Sequence, residues 1–170
     1  RRADVRPKNA DYSLLLAEYH LSTNEPLLAL GYFDRLIEAG ATSPEILGKA
    51  AQAEFLSADR QLSERARSRA QQALALDPMA SAALATLGMA AFEAADFAAA
   101  IRYWETLRSL EPEGSPGHQM LGQVIERARS EMGDSDTLSE VPVGLVVRAT
   151  LADAFEVNPE ATVYVLARPE

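Results

Sequence analysis

At 170 residues, with 48% hydrophobic side chains and a net charge of −9, the chain is long and apolar enough for one medium domain with a small appendage. It contains no cysteine, which excludes disulfide frameworks, thiolate metal sites and thiol catalysis, and its acidic balance argues against a nucleic-acid partner. No apolar run approaches the roughly 18 residues a membrane span needs, and the opening Arg1-Arg2 without a signal peptide is what a fragment or a mature form would show.

Residues 1–10 read as a polar, solvated lead-in. From Asn9 the apolar spacing becomes helical: Tyr12, Leu15, Leu16 and Tyr19 form one stripe, with the small Ala17 on the adjoining face. Ser22 to Pro26 is a turn, and Pro26 suits the first position of a second helix carrying Leu28, Ala29, Tyr32, Phe33, Leu36 and Ile37. Gly40 is the expected cap after it. This is a first helical hairpin over 9–42. Ser43-Pro44-Glu45 then supplies an N-cap, a first-turn proline and an acid near the positive helix end. That helix carries Leu47, Ala50, Ala51, Glu54, Phe55 and Leu56. The connection from Ser57 to Leu62 is about three residues longer than a regular hairpin repeat allows, and Ser63 caps the next helix, with Ala66, Ala70, Ala73, Leu74 and Leu76.

The stretch from Asp77 to Pro112 is the most regular. Pro78 and Pro112 are 34 residues apart. Between them lie one stripe of Leu84, Leu87, Ala91 and Ala94 and another of Phe97, Ala100, Ile101, Trp104 and Leu107. The turn at Ala95-Asp96 is short enough to force an antiparallel pair. Gly88, Ala91 and Ala100 are small where two helices must cross. This resembles the tetratricopeptide (TPR) consensus nearly position by position, closing proline included. The first two hairpins are degenerate copies. Gly114-Ser115-Pro116 starts one more helix, with Met120, Leu121, Val124, Ile125 and Ala128 inward and Gln119, Gln123, Glu126, Arg127 and Arg129 outward, ending at Met132-Gly133. A polar outer side suits a helix that caps a solenoid. The expected fold is therefore mainly α: a TPR-like α-solenoid of three hairpins plus a capping helix over 1–133. An acidic linker over 134–140 follows, and then a short β segment over 141–170. There Val143, Leu145, Val147, Ala149 and Leu151 alternate with Val146, Arg148 and Thr150, and Thr162 to Ala167 forms a second strand after Asn158-Pro159. Two strands are marginal alone, so a larger β domain continuing past Glu170 is expected.

Catalytic chemistry is missing from the pattern. The two histidines, His20 and His118, lie in no metal-ligand spacing, no phosphate-cradling glycine loop occurs, and no pair of carboxylates is singled out for acid–base work. The reading is of a non-enzyme with no catalytic residue, metal or cofactor. Stacked TPR hairpins present their first helices on a concave groove that takes up peptides. Repeat geometry assigns to that groove Ser13, Ala17, His20 and Leu21 from the first hairpin, and Gly48, Gln52, Phe55 and Leu56 from the second. The third contributes Ala82, Ala85, Met89, Phe92 and Glu93. Met89 and Phe92 are the expected anchors for the apolar face of an amphipathic helix. For Phe55 and Phe92, groove contact and ordinary core packing stand as equal alternatives. Lysine, arginine and asparagine are absent from the positions of a carboxylate clamp. The negative net charge favours a partner helix bearing lysines.

Three hairpins with a lengthened loop in the second, a capping helix, an acidic linker, then Val146 to Leu151 and Thr162 to Arg168, resemble the CcmI/CycH family of the bacterial cytochrome c maturation system. The discriminating residues are Leu151-Ala152-Asp153-Ala154, Pro159, Thr162-Val163-Tyr164-Val165 and Ala167-Arg168. The resemblance implies a periplasmic module tethered to the inner membrane through an N-terminal anchor outside this chain. It implies binding of the C-terminal helix of apocytochrome c and delivery to the heme-ligation and thiol-handling subunits. The alternative is a TPR scaffold that organises a cell-envelope assembly without an unfolded client.

Overall fold

The structure, a computed structural model, describes residues 7–139, with side chains over 10–133. Seven helices follow one another among these residues: α1 (Pro7–Ser22), α2 (Pro26–Glu38), α3 (Pro44–Ser57), α4 (Glu64–Leu76), α5 (Ser81–Glu93), α6 (Phe97–Arg108) and α7 (Pro116–Ser139). They pair as α1–α2, α3–α4 and α5–α6, with α7 against α6 and α3 against α5. The expected α-solenoid of three hairpins and a terminal helix is what the structure shows. The β segment expected over 141–170 lies outside the described residues.

The boundaries come from local chemistry. Pro26 and Pro44 open α2 and α3, where a missing N–H costs nothing. Ser43 Oγ accepts from Ile46 N at 3.3 Å, Ser63 Oγ from Ala66 N at 3.0 Å and Asp96 Oδ1 from Ala99 N at 3.0 Å, each satisfying a free donor of a first turn. Gly40 sits just past α2 at φ +94°, and its N–H and that of Ala41 donate to Ile37 O and Leu36 O, closing a Schellman motif. The same motif closes α1 at Asn24 and α5 at Ala95, both at positive φ.

Three apolar clusters form the core in series. Phe33, Leu36 and Ile46 centre the first; Leu47, Ala70, Ala73 and Leu87 the second; Ile101, Trp104, Leu121 and Ile125 the third. Hairpins two and three approach closely because their facing residues are small. A Cβ on Gly48 would stand 3.1 Å from Ala83 N and 3.3 Å from Ala82 Cβ. Polar groups cross-link the stack as well. Glu54, only 7% exposed, accepts from Arg65 Nε at 2.9 Å, from Arg69 Nη1 at 3.1 Å and from the Ser63 hydroxyl. Arg69 Nη2 also reaches Asp34 on α2 at 2.6 Å, so one network joins α2, α3 and α4.

Three expectations need correction. Tyr12, Leu15 and Tyr19 are exposed, and the buried face of α1 is Ala17 with Ala10, Leu14 and Leu21 packed beside it. The smaller Ala17 allows α2 to approach; the tyrosines would hold it away. Met120 does not face inward: it is 60% exposed. α7 does not stop at Met132-Gly133 but runs to Ser139, over residues expected in the linker. A single interior glycine weakens a helix by only about 1 kcal/mol, which neighbouring turns tolerate.

Candidate peptide-binding site

The C-terminal two-thirds of α5 and the N-terminal half of α7, with the floor supplied by α6, enclose an open well of about 380 Å³. Ala85, Met89, Phe92 and Glu93 line it from α5, Trp104 and Leu107 from α6, and Met120, Leu121, Val124 and Arg127 from α7. Arg60 reaches it from the long connection after α3. Trp104 and Leu121 are buried and form the base. Phe92 packs edge-on to Phe97 at 5.4 Å between centroids and tilted against Trp104 at 5.6 Å. The Arg127 guanidinium lies over the Phe92 ring, 5.6 Å from its centre, a cation–π distance.

The lengthened connection in hairpin two has a clear consequence here. Asp59 and Arg60 both take positive φ, and Arg60 N donates back to Phe55 O at 3.0 Å. That left-handed corner turns the Arg60 side chain toward α5, where Nη1 pairs with Glu93 Oε1 at 3.2 Å.

Four of the five groove residues assigned to hairpin three, Ala85, Met89, Phe92 and Glu93, are thus brought together, while Ala82 lines a separate hollow with Pro44, Glu45 and Lys49. The others fall elsewhere. Gln52 lines a second hollow of about 470 Å³ between α1 and α3, with Glu18, Leu21, Ser22, Lys49 and Leu56. Lys49 bridges Glu18 on α1 and Glu45, the latter at 2.8 Å. Burial opposes its charge, but the hydrogen bonds that Lys49 donates to Glu18 and Glu45 prevail and raise its pKa above the usual lysine value. Ser13 faces a hollow between α1 and α2 instead. Ala17 and Phe55 are fully buried and Gly48 is buried against α5, so these three serve packing between helices. His20 is held in the α1–α2 turn: its Nδ1 is 2.8 Å from Glu25 Oε2, and its ring stacks on Tyr32 at 5.5 Å. Arg60, Met120 and Arg127 belong to the well without having been assigned to it. The signal for Arg60 was the extra loop length; Met120 and Arg127 lie two turns apart, each one turn from Val124, on the flank of α7 that turns toward α5.

Stacked antiparallel hairpins with a terminal helix define a TPR-type helical solenoid. The TPR domain of Sgt2 from Aspergillus fumigatus superposes with a TM-score of 0.63 over 85% of this chain and 92% of that domain, at 23% identity, a likeness of fold alone. No family model matches the chain. Over 177 aligned residues it is 30% identical to the cytochrome c-type biogenesis protein CycH of Pseudomonas aeruginosa, an alignment covering 99% of this chain and 44% of that protein. The resemblance to the CcmI/CycH family is borne out by this relative. The chain spans less than half the length of the curated relative it matches.

Proposed function

We propose that this chain is the client-capturing module of a cytochrome c maturation protein, and that its α5–α7 well receives an apolar anchor from the C-terminal amphipathic helix of apocytochrome c. The observation that carries the reading is the well itself. It is open, apolar at its base, and built on rigid helices, the form in which a groove takes a helical guest. The similarity to a cytochrome c-type biogenesis protein supplies the pathway. The chain also contains no cysteine, so no thiol of its own competes with those of a client awaiting heme. In this reading the module works in the periplasm, tethered to the inner membrane through the remainder of a longer protein. It hands its client to heme-ligation and thiol-handling subunits.

Trp104, the chain's single tryptophan, lies at the base of the well and reports on occupancy by its fluorescence. Titration with apocytochrome c, or with its C-terminal peptide, is expected to shift that signal with a Kd of about 1 µM or tighter, roughly −8 kcal/mol. The folded, heme-bearing cytochrome is expected to leave it unchanged. Equal binding of both forms, or of neither, overturns the proposal. A catch of folded maturation subunits without client points instead to a scaffold.

A further inference from the structure

The well has a chemical bias of its own. Its lining holds two guanidinium groups, Arg60 and Arg127, and one carboxylate, Glu93, in a chain whose net charge is −9. Arg60 takes Glu93 at 3.2 Å. Arg127 lies over Phe92 and, among the described residues, pairs loosely with Glu131 at 3.8 Å, a light demand on a group with five N–H donors. Met89 and Met120 add two thioethers to the same lining as Phe92 and Trp104, and such sulfurs favour contact with aromatic rings.

We propose that the guest this well selects is an amphipathic helix carrying an aromatic side chain with a carboxylate one turn away. The ring enters between Met89, Met120 and Phe92, and the carboxylate docks on Arg127. This rests on the reading of the well as a helix-binding site. A separation of one turn places ring and carboxylate on the same face of the guest, matching the neighbouring Phe92 ring and Arg127 guanidinium. The chain's overall negative charge would attract a lysine-bearing helix from a distance. Screening confines that attraction to about 8 Å at physiological salt, whereas a guanidinium–carboxylate contact is made at hydrogen-bond range. Local charge at the well therefore decides the bound state, and net charge only the encounter.

The test uses the whole chain and three acetylated, C-amidated amphipathic peptides that differ at two positions. The first carries Phe with Glu one turn on, the second Phe with Lys, the third Ala with Glu. Amidation removes the terminal carboxylate as a competing anion. The Phe–Glu peptide should bind tightest, with either replacement weakening it about tenfold, and Arg127→Glu should reverse the preference between Glu and Lys. Arg127 is exposed, and an unchanged melting temperature confirms that the variant folds. Equal or tighter binding of the Phe–Lys peptide to the unaltered chain, or a preference that Arg127→Glu leaves intact, overturns the inference. If apocytochrome c binds while the three peptides are indistinguishable, only the anchor chemistry falls. If neither apocytochrome c nor any peptide binds, the helix-capture reading falls with it.

Discussion

Gly88 and Trp104 meet where α5 crosses α6: a Cβ on Gly88 would stand 2.4 Å from Trp104 Nε1 and 2.6 Å from Cδ1. No side chain fits at that distance, so the indole can lie across α5 only because position 88 has none. Gly88→Ala should therefore force Trp104 off its place. The cost should be about 2 kcal/mol, the overpacking penalty exceeding the helix propensity that alanine gains. Chemical denaturation measures the loss, and the Trp104 emission should shift with it. A variant as stable as the parent, with unchanged emission, would show that the crossing is loose.

Ala95 closes α5 at φ +58°, with its N–H donating to Phe92 O at 3.0 Å and that of Asp96 to Ala91 O at 2.9 Å. The left-handed conformation costs an alanine roughly 1 kcal/mol that glycine is spared. Ala95→Gly should raise stability by about 0.5–1 kcal/mol. Ala94→Gly, one residue earlier at φ −86°, should lower it. Opposite signs at adjacent positions in thermal melts are the check.

These two sites also show which parts of the fold were legible from sequence. Prolines at helix starts, serine caps at Ser43 and Ser63, and small residues at Gly88 and Ala100 act locally or across one tight hairpin, where spacing alone specifies the partner. α1 was harder to read. It carries two apolar stripes at helical spacing, Tyr12–Leu15–Tyr19 and Leu14–Ala17–Leu21, and periodicity does not say which one meets α2. Larger side chains marked the wrong face because close packing selected the smaller. The well was half legible: its α5 wall follows from repeat register, whereas Arg60 and Arg127 come from a loop and a helix whose contacts with α5 are remote in sequence.

Glu54 holds two arginines and a serine in a nearly buried position, and Arg69 is itself only 12% exposed. Glu54→Ala would leave Arg69 with Asp34 alone and the Ser63 hydroxyl without its acceptor. Removing one member of such a buried set should cost about 3 kcal/mol. Replacing Glu64, an exposed acid paired with Arg67 at 3.9 Å, should cost less than 0.5 kcal/mol. Similar losses from both would mean that the network contributes nothing beyond surface charge.

Glu25 gives the α1–α2 turn a defined acid dependence. Hydrogen bonds from His20 and then Thr23 lower its pKa below the ordinary 4.5. A carboxylate depressed on folding stabilises fully above its unfolded pKa and loses that contribution as pH falls through the folded one. The melting-temperature gap between the parent chain and Glu25→Gln should therefore be constant above about pH 4.5 and close progressively below it. A gap that persists in strong acid would show that the Glu25 charge is not what the turn uses.

Phe55 and Phe92 separate packing from binding. Phe55 is fully buried, while Phe92 lines the well beneath Arg127. Phe55→Ala should cost about 3–5 kcal/mol of stability and leave peptide affinity unchanged wherever the chain remains folded. Phe92→Ala, at a half-buried position, should cost less stability but weaken the guest by about 1–2 kcal/mol, and Met89→Ala should act in the same direction. Calorimetric titration beside thermal melts distinguishes the two, because a packing residue moves only the melt and an anchor moves the affinity. A steep fall in melting temperature for Phe92→Ala with affinity intact would place Phe92 with Phe55 in the core, and the well would lose its anchor.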